Sequence, residues 1–221
     1  MNTRTYTGRH ASAPTQEAIS IAITRNEDGL IQYGQPQHVD ADIVIPVYNE
    51  EEQLAASVLT LRDYLISQRY ASARFTWNIV IADNASTDST WDIAQQLSNE
   101  NPGIVRAVHI ERKGRGYALK QTWGESLAQV VSYMDVDLST DIACTGTLIG
   151  SLLSGQADVA IGSRLLSDSN VTRSLKREFI SRTYNLMLRT YLQTNFHDAQ
   201  CGFKAMTAVA ASMILPKTED N

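Results

Sequence analysis

The sequence predicts an α/β protein: an open, mostly parallel sheet with helices packed on both of its faces. Three observations carry that expectation. From Asp42 onward, apolar runs of strand length alternate with stretches of helical periodicity. The runs are nearly continuous rather than alternating, as strands covered on both faces must be. Each run ends on polar or charged residues, where sheets of this kind expose their carboxyl ends. The 221 residues suffice for one large domain, or one domain with an extension. The division expected is a polar N-terminal extension over 1–40 and a single domain over 41–221.

The elements follow in order. Residues 1–40 carry scattered Gly and Pro (Gly8, Pro14, Gly29, Gly34, Pro36) and read mainly as a tail, with "AISIAI" as an optional edge strand. "DIVIPV" is the first buried strand. "NEEEQLAASVLTLRDYLISQ" sets Leu54, Val58, Leu61 and Leu65 at helical spacing, with acids where a first turn would favour them. "TWNIVIA" is a second strand, closed by "DNASTDST", which offers several N-cap side chains to a helix carrying Trp91, Ala94 and Leu97. "IVRAVHI" is a third strand, "ALKQTWGESLAQ" a helix, "VVSYM" a fourth strand, "TGTLIGSLLS" a helix and "DVAIGS" a fifth strand.

Composition narrows the class. Hydrophobic content of 43% with 19% charged residues is that of a globular chain. A net charge of -5 argues against general nucleic-acid binding. Cys144 and Cys201 are far apart, and His10, His38, His109 and His197 form no ligand-spaced pair, so neither a disulfide framework nor structural zinc is indicated. "MNTRTYTGRHASAPTQEAIS" has no apolar core of a secretory signal, and no run has the length of a membrane span. The location expected is the cytoplasm, or the cytoplasmic face of a membrane.

The strand ends hold the chemistry. They present Pro46-Val47-Tyr48-Asn49-Glu50, Asp83-Asn84, Lys113-Gly114-Arg115-Gly116, Asp135-Val136-Asp137 and Gly162-Ser163-Arg164. A turn explains one acidic pair easily, but a set of opposite charges at one rim calls for a ligand. Asp135 and Asp137 would share one face if the strand ran on through them, and hard cations take carboxylate oxygens. Glu50, Asp83, Asp135 and Asp137 around Lys113, Arg115 and Arg164 match a nucleotide diphosphate with a divalent cation. Gly114 and Gly116 would let backbone approach phosphate, although the loop lacks the dinucleotide and P-loop spacings. Asp83 could accept a base N–H or cap the following helix. Both readings stay open.

"IVIPVYNEEEQL", "IVIADNASTDST", "KGRGYALKQ", "MDVDLST", "IGSRLL", "RSLKREFISRTYNLMLR" and "DAQCGFKAM" occur in an order that resembles the family 2 inverting glycosyltransferases of the GT-A fold. The resemblance is to the polyprenyl-phosphate branch, of the dolichyl-phosphate β-glucosyltransferase and dolichol-phosphate mannose synthase type, and covers about residues 40 to 207. It implies that Pro46, Tyr48, Asn49 and Glu50 lie along the nucleoside and that Asp83 meets the base. It implies Mg2+ or Mn2+ on the diphosphate, held by the Asp135-Val136-Asp137 motif. Arg164 and Lys204 fall where basic side chains meet donor or acceptor phosphates, and Asp198 and Gln200 match the polar turn that faces the sugar. Asn84 and Ala85 depart from the common "DDGS", and Arg115 replaces the usual lysine of "GKG". No QxxRW motif appears, against a processive synthase. The chain stops at Asn221 soon after "GFKAM", where the family continues, so the resemblance implies a truncated or soluble portion of a longer protein.

On the stretch from Leu175 to Tyr191, Glu178, Ser181, Arg182, Asn185 and Arg189 form a narrow polar strip, and apolar residues cover most of the rest together with Lys176 and Arg177. That breadth fits a buried core helix or an interfacial helix under an acceptor with a lipid tail. The function expected is transfer of a hexose, with inversion, from a UDP-glucose or GDP-mannose class donor to a polyprenyl phosphate. Asp137 and Arg164 would stabilise the leaving diphosphate and Asp198 would orient the sugar. The rivals are a transferase with a soluble, glycan or protein acceptor and a catalytically silent nucleotide-sugar-binding domain. A dehalogenase-type phosphatase fits poorly, because three strand–helix units precede the aspartate pair. The partners expected are the donor, the lipid phosphate and a membrane surface, with a homo-oligomer left open.

Overall fold

A computed structural model of the chain describes residues 23–25, 31–34, 36–68, 75–162 and 202–218. Strands β1 (Ile23–Arg25), β2 (Ile31–Tyr33), β3 (Ala41–Val47), β4 (Trp77–Asn84), β5 (Val105–Ile110), β6 (Val130–Met134), β7 (Val159–Ile161) and β8 (Phe203–Thr207) form one sheet in the order β1-β2-β5-β4-β3-β6-β8-β7. The four strands at its centre, β5, β4, β3 and β6, are parallel. The flanks are antiparallel, with β1 and β2 on one edge and β8 and β7 on the other.

The strand pattern dictates two cores. Alternate residues of β3, β4 and β5 (Ile43, Ile45 and Val47; Ile79 and Ile81; Val105 and Ala107) face helices α1 (Leu54–Ser67), α2 (Thr90–Glu100) and α4 (Thr145–Leu153). Their neighbours Val44, Val80, Ala82, Val108 and Ile110 face α3 (Arg115–Gly124) and α5 (Ala208–Ile214). Leu54, Val58, Leu61 and Leu65 are all buried against the first core, as their spacing requires.

Three expectations are corrected here. The acids Glu50, Glu51 and Glu52 precede α1, whose first turn holds none. Part of the segment read mainly as a tail enters the sheet, where β2 runs antiparallel along β5. Strand β8 was not foreseen: it lies between β6 and β7, so the sheet is mixed on that side. Its residues alternate, Phe203 and Ala205 buried and Lys204 and Met206 half-buried, unlike the continuous runs that marked the parallel strands. Phe203 is fully buried and anchors that edge.

One ion pair is sealed beneath the second face. Asp42 Oδ2 accepts from Ser126 Oγ at 2.6 Å and lies 3.6 Å from the Arg106 guanidinium. Burial pushes the Asp42 carboxyl above its ordinary range, against the pull of Ser126 and Arg106. Burial likewise pushes Arg106 down, against the pull of Asp42 and Glu125.

Candidate functional site

The carboxyl ends of β3, β4, β5 and β6 open on one rim, as the parallel centre of the sheet requires. Asp83 and His109 are each the penultimate residue of their strand, and parallel pairing sets them side by side. Asp83 is 0% exposed, and its Oδ2 lies 2.5 Å from His109 Nδ1. Its Oδ1 is buried and meets no hydrogen-bond donor among the described residues. Helix α2 starts at Thr90, well past Asp83, so the helix-cap reading of Asp83 falls.

Two loops are stapled together beside this pair. Asn49 takes a left-handed φ of 55° and accepts from Thr87 N at 2.8 Å, while its own N donates to Ser86 Oγ at 2.9 Å. Glu50 N donates to Thr90 Oγ1 at 2.8 Å, and Glu51 Oε2 accepts from Ser89 N at 2.9 Å. The acids ahead of α1 therefore tie the β3–α1 turn to the β4–α2 turn. Pro46 lies half-buried on β3 opposite Ala82, and Tyr48 projects from the turn, 40% exposed.

The Lys113-Gly114-Arg115 loop reaches both sides of the rim. Lys113 Nζ donates to Tyr48 Oη at 2.5 Å and sits 4.4 Å from the centre of that ring. Gly114 has φ 144°, a value that favours glycine, and its N donates to Asn84 Oδ1 at 2.9 Å. Asn84 is thus a buried strut for this loop. Arg115 opens α3 and pairs with Asp135. It also lies 5.2 Å from the Tyr133 ring, against which Lys204 of β8 is set at 5.9 Å.

Strand β6 ends at Met134, so Asp135 and Asp137 are not on one strand face; they belong to a turn. Leu138 N donates to Asp135 O at 3.1 Å, and Asp137 Oδ1 accepts from Ser139 N at 2.9 Å. Val136 is buried in the core beneath them. The turn reading and the ligand reading of this pair are compatible, because the turn presents both carboxylates at the rim. Asp135 N donates to Gly202 O at 3.2 Å, and a Cβ on Gly202 would overlap the Asp135 carboxylate.

Among the described residues, no three His, Cys, Asp or Glu side chains gather as a closed metal site. Two carboxylates at an open rim suit instead a Mg2+-type cation, which takes one or two carboxylates and completes its shell with water and ligand phosphate. Asp135 and Asp137 fit that role by their donor chemistry. Arg164, Lys176, Arg177, Asp198 and Gln200 lie outside the described residues. The sequence reading gave no role to His109, Tyr133 or Gly202. A signal for His109 was available, since its place in β5 matches that of Asp83 in β4.

Residues 42–213 match the family model described as Glycosyl transferase family 2. Glycosyltransferase AglD of Haloferax volcanii is 32% identical over 187 residues, 83% of this chain and 29% of that protein. Dolichyl-phosphate beta-glucosyltransferase ALG5D of Trichomonas vaginalis is 28% identical over 82% of this chain and 57% of its own. The human dolichyl-phosphate beta-glucosyltransferase is 26% identical over 77% of this chain and 55% of its own. The chain thus spans about half the length of these last two relatives, and less of the first. Glucosyl-3-phosphoglycerate synthase from Mycobacterium tuberculosis, solved with Mn2+, UDP and phosphoglyceric acid, superposes with a TM-score of 0.53 at 20% identity, covering 77% of this chain and 56% of that one. The mannosyltransferase PcManGT from Pyrobaculum calidifontis, solved with GDP-Man and Mn2+, gives 0.52 at 19% identity, covering 82% and 49%. At these identities the likeness is one of fold, the GT-A fold expected from the motifs.

Proposed function

The chain belongs to glycosyl transferase family 2, and from that premise we propose that it moves a hexose from a nucleotide-diphosphate sugar to a polyprenyl phosphate. The observation that carries this reading is the rim itself. A buried carboxylate with one oxygen that meets no donor among the described residues stands at one end, and the acidic turn at Asp135 stands at the other, with the Lys113–Arg115 loop between them. Those groups suit a base, a diphosphate and a cation in that order. The names of the relatives favour a lipid phosphate as acceptor.

In this reading Asp83 accepts from the base, and Tyr48 with Lys113 borders the nucleoside. Pro46, Asn49 and Glu50 shape that wall through the stapled turns. Arg115 is placed to exchange its pairing with Asp135 for one with phosphate. A divalent cation held by Asp135 and Asp137 would supply charge neutralisation for the leaving diphosphate. An acceptor phosphate oxygen attacks the anomeric carbon as the bond from that carbon to the diphosphate breaks. The acceptor is anionic at neutral pH, so positioning and charge stabilisation carry most of the work. Arg164, Gln200 and Lys204 are assigned to phosphates and Asp198 to the sugar. Lys176 and Arg177 are assigned to a membrane surface; among the described residues no helix is long and apolar enough to cross one.

The test supplies radiolabelled UDP-glucose or GDP-mannose, Mn2+ and polyprenyl phosphate in mixed micelles, and follows label into the organic phase. Lipid labelling that needs Mn2+ and is lost in Asp135→Ala supports the proposal. Transfer to a soluble alcohol with no response to lipid phosphate overturns the acceptor. Absence of binding to any UDP or GDP ligand overturns the donor as well.

A further inference from the structure

The contact between Asp83 and His109 does more than close the sheet. Asp83 has two oxygens in one sealed position. Oδ2 lies 2.5 Å from His109 Nδ1, and Oδ1 meets no donor among the described residues. Buried polar atoms in folded proteins are nearly always met, so an acceptor left unmet at a ligand-facing rim marks the place of a ligand donor. An ionised carboxylate only accepts, so Nδ1–H must be the donor in this contact. His109 thereby occupies one oxygen and fixes the plane of the other.

The imidazole meets the Asp83 carboxylate on one side and the Trp91 ring on another. Its residue pairs with Asp83 on β4 and with Ile31 on β2, the strand that the N-terminal segment adds to the sheet. The Trp91 ring, from the first turn of α2, lies 5.0 Å from it at 43°. The side chain of His109 is 18% exposed while that of Asp83 is fully buried, so the histidine stands nearer the solvent and screens its partner. Asp83 thus keeps one oxygen that meets no donor among the described residues, while its other oxygen and the Trp91 ring orient His109.

We propose that His109 is a positioning residue that aims Asp83 Oδ1 at a ring N–H of the nucleobase, so that the site takes uracil or guanine and rejects cytosine. The inference rests on the donor reading above and adds the residue that enforces base choice. Uracil presents N3–H, and guanine presents N1–H, to such an acceptor. Cytosine presents a lone pair at the corresponding ring position, which an ionised carboxylate repels. A site built to meet a polar group discriminates strongly against an analogue that leaves its buried atoms unpaired. The selectivity should then depend on the support as well as on Asp83. Without the Nδ1 donor the carboxylate is free to rotate, and both oxygens compete for the base.

Binding of UDP, GDP and CDP to the whole chain with Mn2+, measured by calorimetry, tests this in wild type, His109→Phe and His109→Asn. Bare pyrophosphate serves as the ligand without a base. Wild type should prefer UDP or GDP to CDP by about ten- to a hundredfold, the range for one charge-assisted hydrogen bond. The arms also tell uracil from guanine. His109→Phe keeps an aromatic ring beside Trp91 but has no donor, and should shrink that preference by about tenfold while pyrophosphate affinity holds. His109→Asn offers an amide N–H in place of Nδ1–H and should restore most of the preference, which a role in packing alone would not. An unchanged UDP-to-CDP ratio in folded His109→Phe overturns the proposal, as does an equal loss for pyrophosphate. If that variant does not fold, the Nδ1 resonance of wild-type His109 decides. It should shift with UDP or GDP and not with pyrophosphate, and a resonance indifferent to every nucleotide that binds overturns the proposal. A wild type that binds no nucleotide at all overturns the donor reading, and this inference falls with it. A wild type that binds while His109→Phe behaves alike overturns this inference alone.

Discussion

Gly202→Ala is the smallest change that should disable the acidic turn. Gly202 and Asp135 are adjacent across β6 and β8, joined by the 3.2 Å bond from Asp135 N to Gly202 O. A Cβ on residue 202 would stand where the Asp135 carboxylate now lies. Relief requires the carboxylate to swing away, which breaks its pairing with Arg115. Overpacking of this kind costs about 1–3 kcal/mol. The partly exposed ion pair adds roughly 0.2–1 kcal/mol. Together they give a loss of about 1–4 kcal/mol, which lowers the melting temperature of a chain this size by roughly 2–16 °C. Thermal melts of four proteins isolate the cause: wild type, Gly202→Ala, Asp135→Ala and the double variant. Removing the carboxylate beforehand removes the collision, so Gly202→Ala should be nearly silent in the Asp135→Ala background. The coupling expected is about 1 kcal/mol or more. Equal destabilisation in both backgrounds would refute the reasoning. If the proposed donor site is right, UDP with Mn2+ should raise the melting temperature of wild type by more than that of Gly202→Ala, because binding to the folded state alone raises it.

Four further outcomes are expected. Burial raises the folded-state pKa of Asp42, so the stability it contributes is full below the unfolded carboxyl value and is lost as pH rises through the folded one. Asp42→Asn, a neutral stand-in for the protonated carboxyl, should therefore flatten that fall from about pH 4 upward and leave stability at neutral pH no lower than in wild type. Urea unfolding at stepped pH reads both effects. Ala85 holds a φ of 57° just after the rim, and Ala85→Gly should raise stability by roughly 0.5–1 kcal/mol in the same melts. Phe203→Ala, at a fully buried position on β8, should cost about 3–5 kcal/mol by chemical denaturation. Lys176→Glu with Arg177→Glu should abolish binding to anionic vesicles in a sedimentation assay, at about 1 kcal/mol per basic residue, and leave UDP binding intact.

Much of this protein is written locally in its sequence. The four parallel strands of the centre announce themselves because strands covered on both faces must be apolar almost throughout, as "DIVIPV" and "NIVIA" are. Helix α1 is legible in Leu54, Val58, Leu61 and Leu65, and the rim follows from the turns after those strands. Strand β8 was not legible: it enters far along the chain, alternates Phe203-Lys204-Ala205-Met206, and gains its place only by pairing with β6 and β7. Strand β2 was hidden for the same reason, since it exists by leaning on β5.

The candidate site divides along the same line. The sequence by itself determined which chemical groups gather at the strand ends, because a parallel sheet sends all its carboxyl termini to one rim. It also determined the family, through the order of its motifs. Only the tertiary structure decided how those groups are spent. Asn49 and Glu50 staple two turns, Asn84 supports Gly114, Arg115 pairs with Asp135, and Asp83 turns one oxygen to His109 while the other meets no donor among the described residues. Hydrogen-bond partners drawn from different strands and loops are set by strand register and loop approach, which no local pattern encodes.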